Sequence, residues 1–376
     1  MYGRKYTEYT VRGMVNSLTD FVYWLTSPVG YTTLTNEPNS GDGHQGVGVI
    51  FNKYPMEELR AHLIESKQAP LTSECAWGAC CRYSTYEKFV PKDKMWPVND
   101  FLKERFYFNP YDFGGNAFFT LQKEQAEKVL GNVDNIADYI KKTMVTQAEM
   151  LRIEVDFKRF TGGTGFMNWM YDDTWPTGTW ALVDYYLKTK ASYYAMKRAF
   201  EPLTAVIFEC GGKSIIKLSN HYPEEKEVTV NYGVRKLSGE YLQDFTRTLN
   251  VSATSDMVLK IEEKYADKDA YVFARVTADG RTHTVTYFPY FWKDLKFASD
   301  YDYTFSGSGN EYKLEFTANE YARTVYIDFK TDAFITLSDN YFDMEKGEKK
   351  TVIIKSEKPL KKSDIIVKDY NGNWAE

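Results

Sequence analysis

The segment Asn168-Trp-Met-Tyr-Asp-Asp-Thr-Trp-Pro-Thr-Gly-Thr-Trp-Ala-Leu-Val-Asp-Tyr185 decides more of the reading than any other stretch. A short apolar run begins at Gly165, reaches Trp169 and Tyr171, and opens into a loop with Asp172, Asp173, Trp175 and Pro176. That order reads as a strand followed by a turn-rich corner. An indole offers a flat apolar face and a carboxylate accepts hydrogen bonds, which are the two things a sugar ring presents partners for. A buried strand ending in a Trp-Pro corner is the plainer alternative, and spacing alone leaves the two open.

Working outward, the chain changes period near Pro202. Before it, apolar positions recur at helical spacing in 55–66, through Met56, Leu59, His62 and Leu63, and again in 121–160, through Val129, Ile136, Ile140 and Met144, with Gly131 marking a break. Candidate strands lie between them at 47–51, 70–74 and 165–171, and a last helix is expected over about 182–200. Strand and helix in alternation point to α/β units. After Pro202 the period is two, in runs such as 228–232, 258–261, 284–287, 324–329 and 351–354, separated by turn clusters at 278–280, 306–310 and 345–347. Many short strands at that spacing predict β-sandwiches, and the length suits two, with a joint near 297–303.

Composition narrows the function. The net charge of -5 lacks the basic excess of a nucleic-acid binder. The 16% aromatic content fits a β-rich core first and sugar stacking second. Cys75, Cys80 and Cys81 crowd together without metal-ligand spacing, and with only 4 His in the chain a zinc site is not indicated; free buried thiols are expected. No signal peptide and no membrane-length apolar run is read, so a cytoplasmic location is expected if the chain is complete.

The quoted block resembles the signature that closes the barrel of β-mannosidase-type enzymes in glycoside hydrolase family 2, including the following Lys190, Tyr193, Tyr194, Lys197, Arg198, Phe200 and Pro202. The family usually has Asn then Asp where this chain has Asp172 and Asp173. A second match is Ala69-Pro-Leu-Thr-Ser-Glu74-Cys-Ala-Trp-Gly78, similar to the family's Ser-Glu that ends a strand and supplies the nucleophile. A third is Gly41-Asp42-Gly-His44, with Ser27-Pro28 upstream, and 334–347 resembles the last immunoglobulin-like domain of these proteins. The resemblance implies a multidomain α/β plus all-β chain: the C-terminal part of a (β/α)8 TIM barrel over 1–202, then immunoglobulin-like sandwiches over 203–297 and 298–376. It implies a retaining, exo-acting enzyme on terminal β-mannosides, with β-glucosaminides or β-galactosides as alternatives and no cofactor. Glu74 maps onto the nucleophile and Trp169 onto the sugar platform. Asp172, Asp173, Trp175, Asp42 and His44 become candidate substrate-binding residues, although Asp42 and His44 read equally as a turn acid and a structural histidine.

Retention requires a second carboxyl group as acid/base. Asn36-Glu37-Pro38 resembles that motif in the wider barrel clan. The spacing speaks against it, since 37 residues separate Glu37 from Glu74 while three βα units need roughly 90. The acid/base is therefore expected outside this sequence. A truncated gene, a split enzyme completed by a partner chain that supplies the first barrel half, and a non-catalytic carbohydrate-binding or scaffolding relative all stay open, with a fragment favoured.

Overall fold

In the computed structural model, residues 2–24, 27, 41–45, 56–65, 69–105, 117–210, 213–253, 256–261, 268–289 and 292–375 are described. Glu37 and the candidate strand at 47–51 lie outside them. Three short strands, β1 (Asp42–Gln45), β2 (Leu71–Cys75) and β3 (Gly165–Asn168), form a parallel sheet in that order. The helices of this region are α1 (Tyr2–Lys5), α2 (Arg12–Leu18), α3 (Met56–Glu65), α4 (Tyr83–Tyr86), α5 (Asp100–Arg105), α6 (Ala117–Leu130), α7 (Ile136–Thr161) and α8 (Ala191–Ala199). Parallel neighbours need a long crossover, and α6 and α7 supply it between β2 and β3.

The longest helix, α7, has defined ends. The Asn135 side chain accepts from the Asp138 amide at its start, and Gly162 at its end takes the left-handed φ of 75° that favours glycine. Seventeen of its 26 residues are buried, on more than one face, because it is covered by the sheet, by α8 and by the β-rich region that follows. Two expectations need correction. The helix expected from 182 begins only at Ala191, because Asp184 accepts from the Tyr186 and Lys188 amides, both at 3.0 Å, and fixes a turn instead. Asp42 and His44, for which a turn acid and a structural histidine are one of two open readings, lie instead on the edge strand β1.

Seven strands follow: β4 (Leu203–Cys210), β5 (Lys213–Asn220), β6 (Lys226–Lys236), β7 (Tyr241–Val251), β8 (Asp256–Ile261), β9 (Ala270–Ala278) and β10 (Arg281–Tyr287). They make antiparallel sheets β4-β5-β8 and β10-β9-β6-β7, which share a core of Ile207, Ile216, Leu218, Val228, Val230, Val272 and Val276. Asp279 and Gly280, both at positive φ, form the two-residue hairpin turn into β10. A second pair of sheets holds β11 (Tyr301–Ser308), β12 (Glu311–Ala318), β16 (Lys349–Ser356) and β14 (Ile335–Leu337), facing β15 (Phe342–Met344), β13 (Ala322–Phe329) and β17 (Ile365–Lys368).

Strand β13 is buried along its whole length. By the two-residue alternation, Val325, Ile327 and Phe329 fill the core of their own sandwich, while Tyr326 turns into the core built on α7. Asp328 shares that second direction. Arg82, almost fully buried, donates to Asp328 Oδ1 at 3.2 Å and to the Thr189 carbonyl at 2.9 Å, and lies 5.5 Å from the ring centres of Tyr326 and Tyr341. The buried pair joins the α/β region to the last sandwich. Asp328→Ala leaves the guanidinium buried without its counter-charge, and unfolding in urea should show a loss of about 3 kcal/mol or more.

Beneath β2, Glu154 of α7 is fully buried and, among the described residues, neither carboxylate oxygen finds a hydrogen-bond donor. Burial lifts its pKa to about 8, with Lys158 opposing. Lys158 instead donates to the Ala69 carbonyl at 2.7 Å. A raised carboxyl contributes stability that is present in full below its ordinary pKa and lost as pH rises through its folded value. Between about pH 4.5 and about 8 the protein should therefore lose thermal stability. Glu154→Gln should flatten that decline and melt higher than the unsubstituted chain at alkaline pH, measured by circular dichroism.

Candidate active site

Register sets the site. In the pairing of β1 with β2, His44 faces Glu74, and in the pairing of β2 with β3, Cys75 faces Asn168. Glu74 therefore stands near the end of the middle strand, opposite His44 on the β1 side, while on the β3 side the register skips from Thr72 to Cys75. Its Oε2 lies 3.5 Å from His44 Nδ1, and both side chains keep part of their surface in solvent. Burial raises the Glu74 pKa from its ordinary value, and the charge of His44 counteracts the shift.

A hydroxyl hub backs this pair. Ser27 Oγ lies 2.9 Å from Asp42 Oδ2, 3.1 Å from His44 Nε2 and 2.8 Å from Ser73 Oγ. A hydroxyl has one proton to give, and the buried Asp42 carboxylate accepts it. Asp42 and His44, two residues apart on β1, project to the same side of the sheet and are linked through Ser27. The sequence reading grouped Asp42, His44 and Glu74, and the structure brings them together.

Beyond β3, the Trp169 amide donates to the Cys75 carbonyl at 2.7 Å, which continues the sheet pairing by one residue and sets the indole beside the end of β2. Trp169 and Trp175 are exposed, at 42% and 43%, as a stacking surface requires. The two loop acids part company. Asp172 is exposed, whereas Asp173 is buried, accepts from the Thr179 hydroxyl and has its pKa raised by burial. Asp173 braces the loop; Asp172 faces outward.

The loops after β2 and β3 are fixed to each other and to the helices by Gln147 and Gln122, which sequence reasoning did not single out, and by Lys190, which it named only as part of the resemblance. Gln147 donates to the Trp77 and Trp180 carbonyls, at 2.6 and 3.0 Å, and accepts from Ser192. Gln122 donates to the Gly178 carbonyl. Lys190, fully buried, donates to the Ala79 and Thr179 carbonyls at 3.3 and 2.9 Å. A glutamine on the apolar face of a long helix was the available signal, because a buried amide must find partners. Cys75, Cys80 and Cys81 are free, buried thiols. Among the described residues no group of three or more His, Cys, Asp or Glu is placed to hold a metal, and no helix is long and apolar enough to cross a membrane.

Comparison with known proteins agrees with this architecture. Residues 298–371 match the Ig-fold domain family Ig_mannosidase. The chain is 24% identical over 364 residues to β-mannosidase B of Aspergillus oryzae, covering 89% of this chain and 41% of that protein. It is 29% identical over 185 residues to β-mannosidase B of Aspergillus niger, covering 47% of this chain and 20% of that one. Among solved structures, β-D-mannosidase from Dictyoglomus thermophilum superposes with a TM-score of 0.83 at 20% identity, over 98% of this chain and 45% of that chain. The Amycolatopsis orientalis exo-chitosanase CsxA superposes with a TM-score of 0.64 at 16% identity, over 89% and 45%. The chain thus spans less than half the length of these relatives. The Ig-fold match, the curated relatives and the shared fold together support a protein of the β-mannosidase type of glycoside hydrolase family 2.

Proposed function

We propose that the chain is the C-terminal portion of a retaining, exo-acting glycosidase that hydrolyses terminal β-mannosides. The observation that carries this is the placement of Glu74 at the penultimate residue of a parallel strand, with His44 opposite it and the Trp169 amide bound to the carbonyl of the next residue, Cys75. On this reading 1–202 hold the last strands of a (β/α)8 barrel, whose catalytic groups sit at the C-terminal ends of its strands. Residues 203–297 and 298–376 are the two immunoglobulin-like sandwiches. Exposed apolar side chains on and after the first helices, Tyr6, Tyr9, Met14, Leu18, Phe21 and Val22, support a further part of the barrel packing there.

Glu74 is the nucleophile. Its carboxylate attacks the anomeric carbon, the glycosidic bond breaks, and water then displaces the sugar from the glycosyl-enzyme. Trp169 stacks under the sugar, with Trp175 and Asp172 at the rim. Asp42, acting through Ser27, holds the His44 ring against Glu74. Asp173 supports the loop and does not touch the sugar. A retaining enzyme needs its acid/base carboxyl about 5 Å from the nucleophile. Among the described residues His44 is the charged group that bears on Glu74. The acid/base therefore comes from a segment or partner chain that completes the barrel. Glu37 is a poor substitute on spacing. Two carboxyl groups suffice for the chemistry, so no cofactor is invoked.

That lone carboxylate also favours a second reading, a non-catalytic carbohydrate-binding relative. The two are separated by 2,4-dinitrophenyl 2-deoxy-2-fluoro-β-mannoside, whose leaving group departs without an acid. The purified chain should gain one fluoromannosyl unit on the peptide that holds Glu74, read by mass spectrometry, and Glu74→Ala should gain none. Absence of label while mannose perturbs Trp169 fluorescence would favour the binding relative, and label on another residue would remove Glu74 from its role. The corresponding 2-deoxy-2-fluoro-β-galactoside, and a 5-fluoro-β-glucosaminide that keeps the 2-amino group, rank the alternative substrates in the same assay.

The rate of labelling should follow ionisation of Glu74, with its rising limb above the ordinary glutamate range because burial raises the group. His44→Gln removes the opposing charge and should move that limb to still higher pH. An unmoved pH profile would separate His44 from the nucleophile.

A further inference from the structure

Where α7 and α8 meet both β-sandwich regions, a cavity of about 340 Å³ opens, and none of the residues around Glu74 and Trp169 lines it. Its walls are densely charged, yet most of the charge is internally matched. Arg152 holds Glu149 at 2.8 Å and Asp156 at 2.6 Å. Arg323 pairs with Asp343, and Arg198 and Lys350 hold Asp339 at 2.6 and 2.9 Å. Arg60 stands apart. It is 7% exposed, its guanidinium lies 4.4 Å over the Tyr287 ring, and its charge acts on the Glu149 and Asp156 carboxyls, yet it makes no hydrogen bond among the described residues and its Nε–H is buried without an acceptor. A buried guanidinium N–H without an acceptor is a costly arrangement that an oxyanion would relieve.

A second feature points the same way. Thr282, His283, Thr284, Val285 and Thr286 are consecutive, and all five line the cavity. They belong to β10, whose one strand neighbour among the described residues is β9. Consecutive residues can all face one space only if the strand presents its free edge to it. An unpaired edge carries backbone N–H groups that can donate to an acceptor.

We infer that this cavity binds a small organic or inorganic anion, its carboxylate or phosphate oxygens held between the Arg60 guanidinium and the free edge of β10. The volume exceeds a bare oxyanion and accommodates one that carries further hydroxyl groups. Such a ligand would join α3, α7 and both sandwich regions, so its binding should stabilise the fold.

Isothermal titration of the purified chain with inorganic phosphate, with glucuronate and with uncharged myo-inositol tests this. Saturable binding of phosphate or of glucuronate, weakened at least about tenfold by Arg60→Gln as expected for loss of a charge-assisted contact, is the expected result. Phosphate alone identifies a phosphate ligand and glucuronate alone a carboxylate. Anion affinity unchanged in Arg60→Gln, inositol binding as tight as either anion, or no binding of any of the three overturns the inference. Should Arg60→Gln fail to fold, Thr284→Glu is the second variant. It places a fixed carboxylate at the strand edge and must abolish anion binding.

Discussion

Parallel pairing of β2 on both of its edges is the constraint on which the rest of the structure depends. Within Leu71–Cys75, Leu71, Thr72 and Cys75 are in register with both neighbours, Glu74 with β1 alone, and the ladder is irregular around Ser73 on both sides. A parallel ladder fixes which residues face each other, and a slip of one residue would reverse every side chain. Glu74 is thus set opposite His44, and Trp169 is tied to the Cys75 carbonyl by its own amide. Crossover by α6 and α7 is a consequence of the same pairing, because parallel strands cannot be joined by a tight turn.

That crossover explains why charge is buried deep in this protein. α7 is enclosed by the sheet on one side and by both sandwich regions on others, so its polar positions cannot all reach water. Most are answered by a partner across an element boundary. Gln147 reaches two loop carbonyls, and Glu149 meets Arg152 and, at 3.7 Å, Arg323 of β13. Arg323 itself lies 3.4 Å over the Trp292 ring. Buried pairs of this kind add modestly to stability against an apolar alternative, but they penalise any packing that separates them. They specify how the α/β region seats on the sandwiches.

The long apolar periodicity of 121–160, the break at Gly131 and the short alternating strands after Pro202 were legible because each is a local pattern with one dominant period. The strand at 165–168 and the acidic strand end at Glu74 were legible for the same reason, helped by the resemblance. The stretch 182–190 misled because Leu182, Val183 and Leu187 have helical spacing, while the deciding contacts are the Asp184 hydrogen bonds to the Tyr186 and Lys188 amides. A four-residue strand that contains Gly43, and whose evidence is a partner 29 residues away, carries no local signal at all. Arg60 and Glu154 illustrate the same limit in side chains. Each looks like an ordinary surface charge on a helix, and only the tertiary packing puts them inside. At the candidate site, residue type was readable for Asp172 and Asp173 alike, but which of the two turns inward depends on Thr179 and the Val183 carbonyl.

The electrostatics of Glu74 follow from where the sheet ends. Burial alone would favour the protonated acid, which is the wrong form for attack on an anomeric carbon. His44 is the opposing influence, and its ring is oriented from behind by Ser27, which in turn is held by Asp42 and Ser73. The chain of contacts runs along β1 and β2 and uses no residue from outside the sheet except Ser27. If Glu74 is the proposed nucleophile, its support is assembled by the folding of this part of the chain. On that proposal the carboxyl that protonates the leaving group approaches from across the sugar, about 5 Å from Glu74. The β1-β2-β3 sheet would then set the position and the ionisation of one catalytic group, and turnover would depend on what lies across from it.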